Sequence, residues 1–423
     1  MDRLPPEILG RISYYTFRKH KYSASALAAT CQTIQKAVER YTFSEIMLND
    51  ISCRLVTAVV CRFPHRIQAL KVIGVTIISF FDKEILRQTI KSIFGFLASL
   101  QATRCTSHGG IVFCIHLPGK ILDEVWIDFS SLLIQEVPRT ASIPHIPNIT
   151  CVSQFILVDG TNLGFPHYPM YCYLCHIFPN LKVVSWGLDQ NGNPGPTSAR
   201  TPPNLIGSLI LIPKSVTIFR VKYSYHKEIY GMRFRSLQMM MPGDADEQLC
   251  SALRFASQRF ERVAYHNVLG SSQLFWPKSG SALPHWPQLK HFDLTYHICT
   301  PPVDQNQSSQ PEYDVLTKYE HLNEFYTAVA HAITRMPKLE RMRLAVNKRD
   351  VCGDKFQIFV FEVEGRTATA RWSADPVFIP DRDIIRILDR ELYNRDLLLR
   401  AEFTSKYNGD FFDNGMEWRY SPY

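Results

Sequence analysis

Few residues in this chain could do chemistry by type and spacing alone, and the first are in the run CYLCH, Cys172 to His176. Two thiols three positions apart with a following imidazole match the attachment pattern of a c-type haem, and the same side chains could supply half of a tetrahedral zinc site. Haem attachment needs export, yet the N-terminus carries Pro5, Pro6 and Glu7 where a secretion signal needs an unbroken apolar stretch. A zinc site needs a second paired cluster, which the sequence lacks, so Tyr173, Leu174 and Ile177 read as a turn of buried helix. Ser107 to Gly110 (SHGG) has the form of an oxyanion loop of α/β-hydrolases, but no G-x-S-x-G elbow accompanies it. A turn into the apolar strand Ile111 to Ile115 accounts for those glycines. The chain also lacks a P-loop, a glycine-rich dinucleotide turn and an HExxH pair. The expectation is a protein that is not an enzyme and holds no metal or cofactor.

A second group of residues suits recognition. Trp186, Tyr223, Tyr225, Tyr265, His266, Tyr296 and His297 fall at the ends of strand-like segments. Aromatic side chains dominate interface hot spots, so these seven are the candidate surface for a protein substrate.

The segments that would carry these side chains share a repeated phrase. Leu322, Tyr326, Val329, Ile333 and Met336 recur at helical spacing, Pro337 ends the helix, and residues 338–346 alternate like a strand. Leu86, Ile90, Ile93, Leu97 and Leu100 make a similar stripe, as do Leu249, Leu253, Ala256 and Phe260. "FPNLKVVSWGL" (178–188), "WPQLKHFDLTY" (286–296) and "MPKLERMRLAV" (336–346) each place an apolar residue, Pro, any residue and Leu ahead of an alternating run. Strand starts near residues 67, 121, 152, 181, 215, 260, 289 and 339 imply an irregular helix-strand solenoid. Residues 356–363 and 367–373 flank Glu364-Gly365-Arg366 as a hairpin, and Ile384, Ile385, Leu388 and Leu392 mark a helix that caps the array. Polar, Pro- and Gly-rich insertions are expected at 189–204, 270–287 and 299–312.

At the N-terminus, Pro5 and Pro6 open a helix with Ile8, Ile12 and Tyr15 on one face. A polar loop over 16–25 then leads to Leu27, Cys31, Ile34 and Val38 at helical spacing, and Phe43, Ile46 and Leu48 suggest a strand.

Composition narrows the class. The chain has 423 residues, 46% hydrophobic and 20% charged, which suits a globular protein of two units or one elongated array. The net charge of +8 is spread along the chain, its densest cluster being Arg18 to Lys21, which argues for solvated faces and against nucleic acid as a partner. No apolar run is long enough to span a bilayer, so no membrane association is expected. Eleven scattered cysteines suit a reducing compartment, cytoplasmic or nuclear.

"LPPEIL" (4–9), "SALAATCQTIQ" (25–35) and "YTFSEIML" (41–48), in that order, resemble the F-box, especially its fungal form. The resemblance implies a small helical module that docks on a Skp-type adaptor and through it a cullin, making the protein a substrate-recognition subunit of a ubiquitin ligase. By position, Leu4, Pro5, Glu7, Ile8 and Leu9 match the first block, Ile12 extends it, and Leu27, Cys31 and Ile34 match the second. Many family members carry Arg or Ser and then Trp where this chain has Gln32, Thr33 and Ile34. The chain beyond the module resembles the leucine-rich-repeat-like receptors found behind F-boxes. The expected fold is therefore α+β or α/β, with an F-box at 1–48, a solenoid at 49–350 and a cap at 351–423. The alternatives are a scaffold acting outside a ligase and an enzyme with an unfamiliar site.

Overall fold

The computed structural model describes residues 5–19, 21–49, 52–77, 83–103, 110–117, 148–159, 168–189, 205–224, 243–277, 282–298, 319–346, 357–374 and 377–405. The chain divides into two units, Met1–Glu228 and Ile229–Tyr423. Both combine helices with sheet, and the class is α+β.

The first unit opens with three helices, α1 (Pro6–Lys19), α2 (Lys21–Ala28) and α3 (Gln32–Thr42). Proline at the first helical position costs no hydrogen bond, which fits the start at Pro6. Leu9, Ala24, Ile34 and Val38 form a small core, with Phe17, Leu27, Ala28 and Cys31 packed against it. The polar loop expected over 16–25 is replaced by the end of α1 and by α2, because Ala24 supplies an inward residue that gives this short segment a face to bury. The break between helices falls instead at Ala29–Cys31.

The remaining elements of this unit are β1 (Glu45–Asn49), α4 (Cys53–Cys61), α5 (Pro64–Ala69), β2 (Val72–Thr76), α6 (Lys83–Thr103), β3 (Ile111–Leu117), β4 (Val152–Asp159), α7 (Tyr168–His176), β5 (Val183–Asp189), α8 (Leu205–Leu209) and β6 (Ile218–Ser224). Strands β1 to β6 pair in chain order, each parallel to the next. The strand expected near 121 lies outside the described residues, as do the insertions at 190–204 and 299–312.

The second unit contains α9 (Gly243–Ser257), β7 (Arg262–Gly270), a short 3-10 turn at Ser272–Leu274, β8 (His291–Ile298), α10 (Tyr319–Thr334), β9 (Arg341–Val346), β10 (Gln357–Glu364), β11 (Thr367–Ala374), α11 (Arg382–Tyr393) and β12 (Leu398–Thr404). Parallel pairing joins β7, β8 and β9. β10 is antiparallel to both β9 and β11, and β12 returns parallel to β11. The expected hairpin is present. Gly365 alone of its two turn residues has positive φ, at 60°, the type II′ pattern that matches strand twist. β12 was not anticipated from its sequence.

One bonding pattern recurs at four of the strand entries. The carbonyl just before one strand accepts two N–H groups from the entry of the next: Ser44 from Lys71 and Val72 (2.8 and 3.0 Å), and Lys182 from Thr217 and Ile218 (3.0 and 3.1 Å). In the second unit Glu261 accepts from Lys290 and His291 (2.8 and 3.1 Å), and Lys290 from Glu340 and Arg341 (2.9 and 3.0 Å). In the second unit the apolar-Pro-x-Leu phrase supplies the turn ahead of this bond, and in the first it precedes Lys182. Proline presets the backbone angle of a turn's second residue, and the flanking pairs Phe178 and Leu181, Trp286 and Leu289, and Met336 and Leu339 are all buried. The Leu181 and Leu339 amides close their turns onto Phe178 and Met336 at 3.1 Å. Each phrase thus drives two apolar anchors inward around a proline that is half-buried at Pro179 and exposed at Pro287 and Pro337.

Candidate functional site

The N-terminal helices bring together most residues of the first predicted site, and they divide into two sets by face. Leu9 (5% exposed) and Ile34 (2%) face inward, where Leu27 and Cys31 pack against them. These four hold the module together. Pro5 and Glu7 are exposed, and Ile8 (42%), Ile12 (41%) and Tyr15 (61%) run along the outside of α1. An α-helix places positions four and three apart on one stripe, so this is a continuous apolar ridge beside a module whose own core is complete. Leu4 lies outside the described residues.

A charged cluster ties this module to the helix-strand array. The Glu39 carboxylate on α3 accepts from Arg66 Nε (2.9 Å) and Nη2 (2.6 Å) on α5, from Gln35 Nε2 (2.9 Å), and from the His65 ring. Arg66 also donates through Nη1 to the Val59 carbonyl at 2.8 Å. Its guanidinium sits 4.6 Å from the Phe43 ring and 4.4 Å from that of Phe63. The Arg66 fork beside Glu39, with further bonds from His65 and Gln35, outweighs burial and holds the carboxyl down at about 2. Sequence reasoning missed this pair: nothing in local spacing links charges 27 positions apart.

Strand parity turns three residues of the second predicted site inward. Trp186 (0% exposed), Tyr265 (0%) and Tyr296 (1%) point into the core and line no edge open to a partner. Trp186 shares a row with Leu157 and Val221 and packs 5.7 Å from Tyr171 of α7. Tyr265 lies opposite Leu294 and donates its hydroxyl to the Leu253 carbonyl of α9 at 3.0 Å, and Tyr296 stacks on Phe325 of α10 at 4.8 Å. Their aromatic mass fastens helices to the sheet. His266, half-buried, lies 3.4 Å from Thr295 Oγ1. Tyr223 and His297 belong to β6 and β8 by register, and Tyr225 is outside the described residues. The opposite face of the first unit's sheet instead carries Val112, Gln154, Val183 and Ile218 in one half-buried row, with Met47 of β1 exposed in the next.

The CYLCH run is a helical turn within α7. Cys172 and Cys175 are buried while His176 is exposed, so the three do not converge. Burial pushes the Cys175 thiol well up, the reverse of what a metal-binding thiolate needs. Among the described residues no group of three or more His, Cys, Asp or Glu could hold a metal ion. Ser107 to Gly109 lie outside the described residues, and the expected strand behind them is β3. No described helix is long and apolar enough to cross a membrane.

In comparison with known proteins, residues 211–386 are similar to a family of unknown function (DUF6546). That stretch runs from the entry of β6 into α11. No curated protein and no solved structure matches the chain.

Proposed function

We propose that this protein is a non-catalytic substrate-recognition subunit of a Skp-cullin-F-box ubiquitin ligase, docking a Skp-type adaptor through α1 and a substrate protein through the helix-strand array behind it. The observation that carries this reading is the ridge of Ile8, Ile12 and Tyr15, which the module leaves exposed although its core is satisfied without it. Burying an exposed apolar side chain fully contributes about 1.5–3 kcal/mol, and the exposed parts of Ile8, Ile12 and Tyr15 supply a share of that each to an interface. The array reads as an irregular solenoid because its parallel strands follow chain order and repeat one entry bond. Holding ligase and substrate together accelerates transfer by proximity alone, so the protein itself needs no reactive group.

The reading is tested by recovering the tagged chain from cells and probing for Skp-type adaptor, comparing wild type with Ile8→Asp/Ile12→Asp. Both positions are exposed, so the variant keeps the fold. Loss of adaptor with the variant is the expected result. Equal recovery, or none with either protein, contradicts it. Substrate engagement belongs on the outward rows of the sheet, and partners whose lifetimes do not change on deletion of the protein would favour a scaffold outside a ligase.

A further inference from the structure

We infer that the buried Glu39–Arg66 pair is a clamp that fixes the three-helix module to the first helix-strand turn, so that the ridge on α1 is a rigid bracket and not the end of a swinging arm.

Three features argue for it. Glu39 is 7% exposed and Arg66 9%, so neither charge tolerates loss of the other without leaving an uncompensated ion away from water. A two-pronged guanidinium–carboxylate bond fixes direction as well as distance, and here the guanidinium is also packed by Phe43, next to the module's last helix, and by Phe63, at the entry of α5. Rotation of α3 relative to α5 would break all of these contacts together. The connection on the far side of β1 is fastened as well. Asn49 N donates to Ser52 Oγ at 2.9 Å and Ser52 N to Asn49 Oδ1 at 2.7 Å, a reciprocal pair that holds the turn into α4. Between these two fastenings β1 is paired along its length with β2, from Glu45 opposite Val72 to Asn49 opposite Thr76. A small module joined to a larger body would by default move relative to it unless the junction is firmly held. This junction is held through charge, sheet pairing and turn. The inference does not depend on what binds the ridge.

Spin labels carried by p-acetylphenylalanine at exposed Ser25 of α2 and exposed Lys91 of α6, measured by double electron–electron resonance on the full chain without any partner, read the orientation directly while sparing the 11 native cysteines. Wild type is expected to give one narrow distance peak. In Glu39→Gln, which keeps the side-chain shape and removes the charge, the peak broadens about twofold or more while circular dichroism stays native. If Glu39→Gln does not fold, Arg66→Lys decides: it keeps the charge but loses the fork and the ring packing, and a broadened peak is again expected. A broad wild-type distribution overturns the clamp, as does an unchanged width in whichever variant folds, even if stability has dropped. None of these outcomes bears on adaptor recovery.

Discussion

Glu39 is held far below the ordinary carboxylate range, and its titration gives the clamp a pH signature. Its carboxyl loses its proton at about 2 in the folded chain against an ordinary 4.5. A carboxyl whose folded value is depressed contributes stability that is fully present above the unfolded value and lost as pH falls through the folded one. The contribution is on the order of 3 kcal/mol. Urea unfolding of wild type and Glu39→Gln should therefore show a stability gap that is constant above pH 4.5 and closes as pH drops toward 2. A gap that does not change with pH would contradict this assignment. At this scale the sequence was half legible. Helical spacing placed Ile8, Ile12 and Tyr15 on one face, as observed, but it gave no sign that Glu39 meets Arg66, because their approach depends on how α3 and α5 pack.

At the scale of elements, the apolar-Pro-x-Leu phrase is the most informative stretch of sequence. It marks three strand entries, and each structure repeats the other two: a buried anchor, a proline, a second buried anchor, then a strand. Trp286 shows what the anchor does, since its backbone N–H bonds the Arg335 carbonyl at 3.0 Å and its Nε1–H bonds Ser257 Oγ at 2.7 Å. Its ring is fully buried where α9 and α10 end. Trp286→Ala should cost about 3–5 kcal/mol of unfolding free energy, whereas Pro287→Ala, at the exposed apex of the same turn, should cost under about 1 kcal/mol. Comparable losses for the two would mean that the turn and not the anchor sets the entry. Strand faces were less legible than strand positions. The side-chain period in a strand is two, so placing Trp186, Tyr265 and Tyr296 at strand ends left their direction open, and one residue of shift moves a side chain from surface to core. β12 went unread because LLRAEFT has no clear alternation of its own, and its place depends on pairing with β11.

For the molecule as a whole, a complete small core and an exposed apolar ridge stand at the start of a chain whose described residues hold no metal-ligating cluster and whose sequence carries no finished catalytic motif. An exposed apolar stripe loses free energy to water until something covers it, which is why α1 is the first place to look for a partner. Calorimetric titration of the purified chain with purified Skp-type adaptor measures this directly. The account predicts one-to-one binding for wild type and, with two anchors replaced by carboxylates, a loss of affinity of about a hundredfold or more in Ile8→Asp/Ile12→Asp. Absence of binding by the folded wild-type chain, or equal affinity for both proteins, would contradict it.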